Sequence, residues 1–256
     1  MEVHHHPHVA KKNFKEYFLE FLMIFLAVTM GFLAESYREH LADKRNEKEI
    51  ISALFNDIKA DTANLNTIIN RYMPEHAAWE DSAETYIKSM PIEGNDKKIA
   101  KALINATNWN FYSPPQVSLD IIKNSGTFNL IESKKIKSEI INYNGLVNAY
   151  TNYSQFMLAA EHAVDTATAG IISKAALRII IARVYVKTNA QYGSIADSDM
   201  PTNTVLKTYN KTVYKNYLSK LDQMDYLLND MLGFYKKILQ EETVLLEMLS
   251  VEYKLG

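Results

Sequence analysis

Cysteine is absent from the 256 residues, which excludes disulfides, thiolate metal sites and cysteine nucleophiles. Glycine and proline are scarce, at 8 and 6 residues. Together they make about 5% of the chain, less than half of average usage. That argues against an all-β fold rich in tight turns and in favour of long helices. An excess of one charge is also missing, since 28 Lys+Arg stand against 30 Asp+Glu and the formal net charge is −2. Near-neutrality leaves no electrostatic footprint for nucleic acid, so no nucleic-acid partner is expected. Chemical signatures are missing too: no GxGxxG, P-loop, HExxH or GxSxG motif occurs. A bundle di-iron centre needs Glu-x-x-His pairs, but Tyr37, Met73 and Ala159 stand three residues before His40, His76 and His162. No catalytic residue and no cofactor are assigned. The expectation is a non-enzymatic protein, with a helical-bundle enzyme as the least favoured reading.

What is present is one long apolar run, Tyr17 to Tyr37. Its fourteen residues from Phe21 to Ala34 carry no charge. At 1.5 Å per residue the whole run gives about 31 Å, close to the hydrocarbon thickness of a bilayer. Tyr17 and Tyr37 stand at its ends as interfacial aromatics do, with Lys11, Lys12 and Lys15 before it and Arg38, Lys44, Arg45 and Lys48 after it. This predicts one transmembrane helix in contact with the lipid bilayer. The rivals are a cleaved signal peptide, whose apolar region is usually shorter, and a buried core helix. Lys/Arg counts on the two sides nearly tie, so orientation rests on the simplest route. That route is a signal anchor with a cytoplasmic N-terminus and a periplasmic C-terminal domain, held in a bacterial inner membrane.

Within the run, Glu20 lies one turn inside the N-terminal end. It can snorkel to the interface at the favourable pole of the helix, pair with a neighbouring membrane helix, or serve ion or proton conduction. Ala27, Gly31 and Ala34 share one face, a small-residue spacing that lets another helix approach closely. Glu20 lies toward the same side. The face is predicted to contact another membrane protein or a second copy of the chain. Before the run, His4, His5, His6 and His8 form a tract that could hold a transition metal; the other reading is a polar tail or docking peptide.

After Tyr37 the helical pattern continues. Ile50, Leu54, Ile58, Leu65, Ile69 and Tyr72 recur at helical spacing, and Met73-Pro74 is expected to end the helix. The division that follows is a His-rich tail (1–16), a transmembrane helix (17–37), a stalk helix (38–73) and a helical extramembrane domain (74–256). Helices are expected over 74–89, 96–109, 117–123, 133–164 and 167–187, the last as a buried core helix rather than a second span because Lys174, Arg178 and Arg183 interrupt it. Ser133 opens a capping box whose fourth position is not acidic. The C-terminal stretch carries Tyr214, Leu218, Leu221, Leu228, Leu232, Tyr235, Leu239, Leu246 and Leu249 on one heptad register, broken by Asp225 and Glu242. It is either a long antiparallel helix of the same globule or a self-association seam. The 16 tyrosines are read as core and interface residues. The fold class is all-α: a single N-terminal transmembrane helix continuing into a long stalk helix, plus a helical bundle with a long C-terminal helix.

Two stretches carry a family resemblance, HHHPHVAKKNFKEYFLEFLMIFLAVTMGFLAESYREHLADKRNEKEIISALFNDIKAD and SLDIIKNSGTFNLIESKKIKSEIINY. The chain resembles the uncharacterised single-pass membrane proteins common in Bacteroidota, with Glu20, Ser125-Gly126 and Asn129-Leu130-Ile131 in the places those proteins share. The resemblance covers roughly 3–61 and 118–143. It implies membrane anchoring and a bacterial envelope, and carries over no ligand or catalytic residue. The function expected is that of a membrane-anchored accessory or scaffold subunit of an envelope complex. The alternative is a sensor or ligand-binding module, although a small-molecule partner is not the leading expectation.

Overall fold

The computed structural model describes residues 13–108, 112–115, 117–124, 126–188, 194–201 and 205–255. Among them are seven α-helices and no strand: α1 (Phe14–Thr67), α2 (Met73–Ser89), α3 (Asp96–Asn105), α4 (Val117–Asn124), α5 (Lys134–Ile171), α6 (Lys174–Thr188) and α7 (Lys211–Tyr253). The only β-type pairing described is an isolated antiparallel bridge between Ile172 and Leu206. The fold is all-α, as the scarcity of glycine and proline implies.

Met73-Pro74 does not end the first helix. A five-residue π turn, Ile68–Tyr72, joins α1 to α2, and Tyr72 and Met73 both keep right-handed helical angles. The Met73 N–H donates to the Ile68 carbonyl, one residue further back than in an α-helix. Proline crowds the carbonyl four residues before it and removes a donor. A widened turn moves that carbonyl aside, and Pro74 sits in the first turn of α2, where its missing N–H costs least.

The chain divides into two compact units, residues 1–50 and 51–256. The first is described as helix from Phe14 onward, and most of its described apolar side chains are exposed, with Leu22 and Ile50 half-buried. The second holds the core. Ile51, Leu54, Ile58 and Leu65 of α1 are buried in it, so 51–67 belong to the globular body rather than to a free stalk, and the boundary expected at 73/74 falls inside a helix.

The core is built on an antiparallel pair, α5 and α7, in which Tyr143 reaches Glu242 and Tyr153 reaches Asp230. Their chain starts are locally specified. Ser133 accepts from the Ile136 N–H at 3.4 Å and caps α5 despite the non-acidic fourth position. Asn210 accepts from the Thr212 N–H at 2.9 Å and caps α7. Along α5 the buried positions include Ile136, Ile140, Tyr143, Val147, Tyr150, Met157, Val164 and Ile171, a 4-3 repeat over much of the helix.

The α7 seam is shifted from the expected one. Its buried residues are Tyr214, Tyr217, Leu221, Met224, Leu228, Met231, Tyr235, Ile238, Glu242, Leu245 and Leu249. Tyr214, Leu221, Leu228 and Tyr235 keep their expected places, whereas Leu218, Leu232 and Leu239 are only half-buried and flank the seam. Each leucine yields to the residue before it: Tyr217, Met231 and Ile238. Leu246 yields likewise to Leu245, and Met224 replaces Asp225, which is exposed. The fully buried stripe keeps an alternating 3-4 spacing from Tyr214 to Leu249 and is covered within the chain.

Helix boundaries differ elsewhere. Helix α5 continues past Val164 to Ile171, and α6 begins only at Lys174. The break is fixed by the bridge, where the Ser173 N–H donates to Val205 and the Lys207 N–H to Ile171. Helix α6 is not wholly buried: Ala176 and Ile180 face the core, while Ile179 and Ile181 are exposed. Helix α3 ends at Asn105, short of the 109 expected.

Candidate functional site

The first candidate is the apolar helix at the N-terminus. The helical run from Phe14 to Ser89 contains one segment long and apolar enough to cross a membrane, none of it buried within the chain. Phe18, Phe21, Phe25 and Phe32 are exposed, as are Ala27, Gly31 and Ala34. A Cβ added at Gly31 would meet nothing within 4 Å. Glu20 is half-exposed. Thr29 donates its hydroxyl to the Phe25 carbonyl at 2.7 Å, which satisfies the one polar group in the middle of the run inside its own helix. At its far end Arg38 pairs with Glu35. His4, His5, His6 and His8 lie outside the described residues.

The second candidate, which no sequence pattern marked, is a polar cluster in the core. Asp61 of α1 and Glu242 of α7 are buried and hydrogen-bonded to each other. Tyr112 donates its hydroxyl to Asp61. Tyr143 and Thr62 reach the two Glu242 oxygens, each at 3.1 Å. Tyr150 donates to the Tyr112 carbonyl at 2.5 Å. Tyr112, Tyr150 and Tyr235 pack in tilted and edge-to-face contacts, with ring centroids 5.1–5.7 Å apart.

Burial decides the protonation of this cluster. Loss of hydration and the neighbouring Asp61 push the Glu242 carboxyl up to about 9. Burial also raises Asp61, against the hydrogen bonds from Glu242 and Tyr112 that favour its charged form. Burial raises the Tyr112 and Tyr143 hydroxyls as well. Burial and mutual proximity thus favour a proton shared within the pair, with Glu242 the more strongly raised of the two. A second, smaller polar contact lies on α2: His76 is 3.1 Å from the Ala106 carbonyl and 3.5 Å from Glu80, and burial raises the Glu80 carboxyl.

The main cluster is closed to solvent, with Glu242 wholly buried and Tyr112 3% exposed. That geometry fixes the alignment of α1, α5 and α7. Sliding α7 against α1 and α5 would leave the Glu242 carboxyl among apolar side chains without Asp61 and Tyr143, at about 1–3 kcal/mol per orphaned group. No grouping of three or more His, Asp or Glu able to hold a metal is found among the described residues.

The heptad residues assigned as an interface are thus split between core and flank, and the membrane-helix residues lie together on an exposed helix. The cluster escaped sequence reasoning because its two carboxyls are 181 positions apart; the one local sign was Glu242 standing at a seam position. Comparison with protein-family models, with characterised proteins and with solved structures finds no match.

Proposed function

We propose that the chain is a membrane-anchored, non-enzymatic accessory or scaffold subunit of a bacterial envelope complex. The observation that carries this reading is the apolar segment near the N-terminus of α1, long enough to span a bilayer and with none of it covered by its own chain. An apolar surface of that extent is covered by lipid or by another protein. The inner membrane is the proposed site, with residues 1–16 in the cytoplasm and residues 38–256 in the periplasm. Ala27, Gly31 and Ala34 form the proposed contact face toward a second copy or another membrane protein, with Glu20 nearby. The sealed Asp61–Glu242 cluster supports the non-enzymatic part, because a substrate has no route to its best-placed acid.

The test is association in mild detergent. Gly31→Ile places a branched side chain on the close-approach face and should reduce complex size and the recovery of co-purifying proteins. Glu20→Gln should act in the same direction more weakly. Unchanged size and recovery with Gly31→Ile would leave the helix as an anchor alone.

A further inference from the structure

A cleft of about 750 Å³ opens between α2, α3 and the segment around the short 3₁₀ turn Asp197–Asp199, within the range of small-molecule sites. One wall is aromatic: Trp79, Ser82 and Tyr86 line it from α2, spaced to share one helix face. The facing wall is basic, with Lys97, Lys98 and Lys101 from α3. Asn105 of α3 accepts from the Ile195 N–H at 2.8 Å and ties that segment to the cleft.

The charges here are unbalanced, although the chain as a whole is slightly acidic. The one carboxylate lining the cleft, Asp197, is held by Lys101 at 2.6 Å. Asp96, beside the lysines in sequence, is engaged by the Tyr209 hydroxyl at 2.8 Å. Lys98 stands over the Tyr86 ring at 4.5 Å, which fixes its ammonium at the aromatic wall and leaves donors to spare. Among the described residues neither Lys97 nor Lys98 has a carboxylate within ion-pair distance. Two uncompensated ammonium groups beside a Trp–Tyr wall complement a ligand with a flat ring at one end and negative charge at the other.

We propose that this cleft binds a small aromatic anion, its ring against Trp79 and Tyr86 and its carboxylate or phosphate on Lys97 and Lys98. The assignment is independent of the anchoring role above, since every residue it uses lies in the globular unit.

Trp79 is one of only two tryptophans, so Trp109→Phe makes it the sole reporter. Full-length protein in neutral-lipid nanodiscs is titrated with phenyl phosphate, phenylacetate and adenosine monophosphate, and with inorganic phosphate, acetate and adenosine as partial probes. At least one aromatic anion should quench Trp79 saturably with a Kd below about 1 mM, and its partial probes should bind at least tenfold more weakly. Phosphate and carboxylate ligands are told apart by which anion saturates. Lys97→Glu with Lys98→Glu should weaken binding at least tenfold while leaving the helical circular dichroism unchanged. If that pair disturbs the fold, Lys97→Gln with Lys98→Gln removes both charges and retains much of each stem. Calorimetry on the unsubstituted chain gives the same readout without the Trp109 change. No saturable binding of any of the three anions, equal binding of the uncharged or ring-free probes, or unchanged affinity in the lysine variants would each overturn the proposal.

Discussion

At the scale of single residues, Glu242 is the most informative position. It occupies a heptad site where an aliphatic side chain would pack, and it is wholly buried. Its carboxyl is raised from 4.5 to about 9, so between those values the folded chain keeps a proton that the unfolded chain releases. Stability contributed by this group is therefore present at low pH and falls as pH rises through that window, by up to about 1.4 kcal/mol per pH unit. Glu242→Gln retains a donor and an acceptor but cannot ionise. Urea titrations between pH 5 and 9 should show a flatter pH dependence for this variant, and higher stability than the parent at the alkaline end; parallel curves would refute the shared proton. Tyr143→Phe leaves a Glu242 oxygen short of its donor and should cost about 1–3 kcal/mol at neutral pH.

At the scale of elements, the register of α7 separates two readings of one sequence. Placing the leucines in the seam predicts that Leu232 matters more than Met231; the structure reverses this, burying Met231 fully and leaving Leu232 at the flank. Met231→Ala should destabilise by about 2–5 kcal/mol and Leu232→Ala by clearly less, as measured by thermal or denaturant melting. Helix existence was legible along most of this chain because the apolar periodicities are long and the breakers few. Ser133 and Asn210 also mark the starts of α5 and α7 through local capping chemistry. Register was not legible, since Tyr217, Met224, Met231 and Ile238 recur at every seventh position as regularly as the leucines beside them. Which series turns inward depends on α5 and α1, which a single helix does not reveal. Pro74 misled for a related reason: its local penalty is real, but a π turn absorbs it. The cluster of Asp61, Tyr112, Tyr143 and Glu242 is drawn from three helices and a loop, so no local window contains it. The cleft lysines were likewise hidden, because their significance lies in which carboxylates are engaged elsewhere.

At the scale of the whole molecule, burial and membrane character separate along the chain. Among the described residues, every buried hydrophobic side chain lies at or beyond Ile51, as do the carboxyl cluster and the aromatic cleft, whereas the membrane-length segment lies within the N-terminal unit. Two consequences follow for a chain shortened to residues 38–256. Its melting transition and the helices beyond residue 37 should persist, because among the described residues no buried apolar side chain lies before Ile51; a lost transition would mean that residues 14–37 contribute to the core. It should also leave the membrane fraction in alkaline carbonate, while the full chain stays behind, since burial of about twenty apolar residues in lipid is not reversed by removing charge-based contacts. Release of the full chain by carbonate would end the spanning reading. Orientation is checked separately: protease added to spheroplasts should digest residues 38–256 if they lie outside the cytoplasm. Protection until lysis would place the globular unit inside, and the ligand proposed for its cleft would then be drawn from the cytoplasm rather than the periplasm.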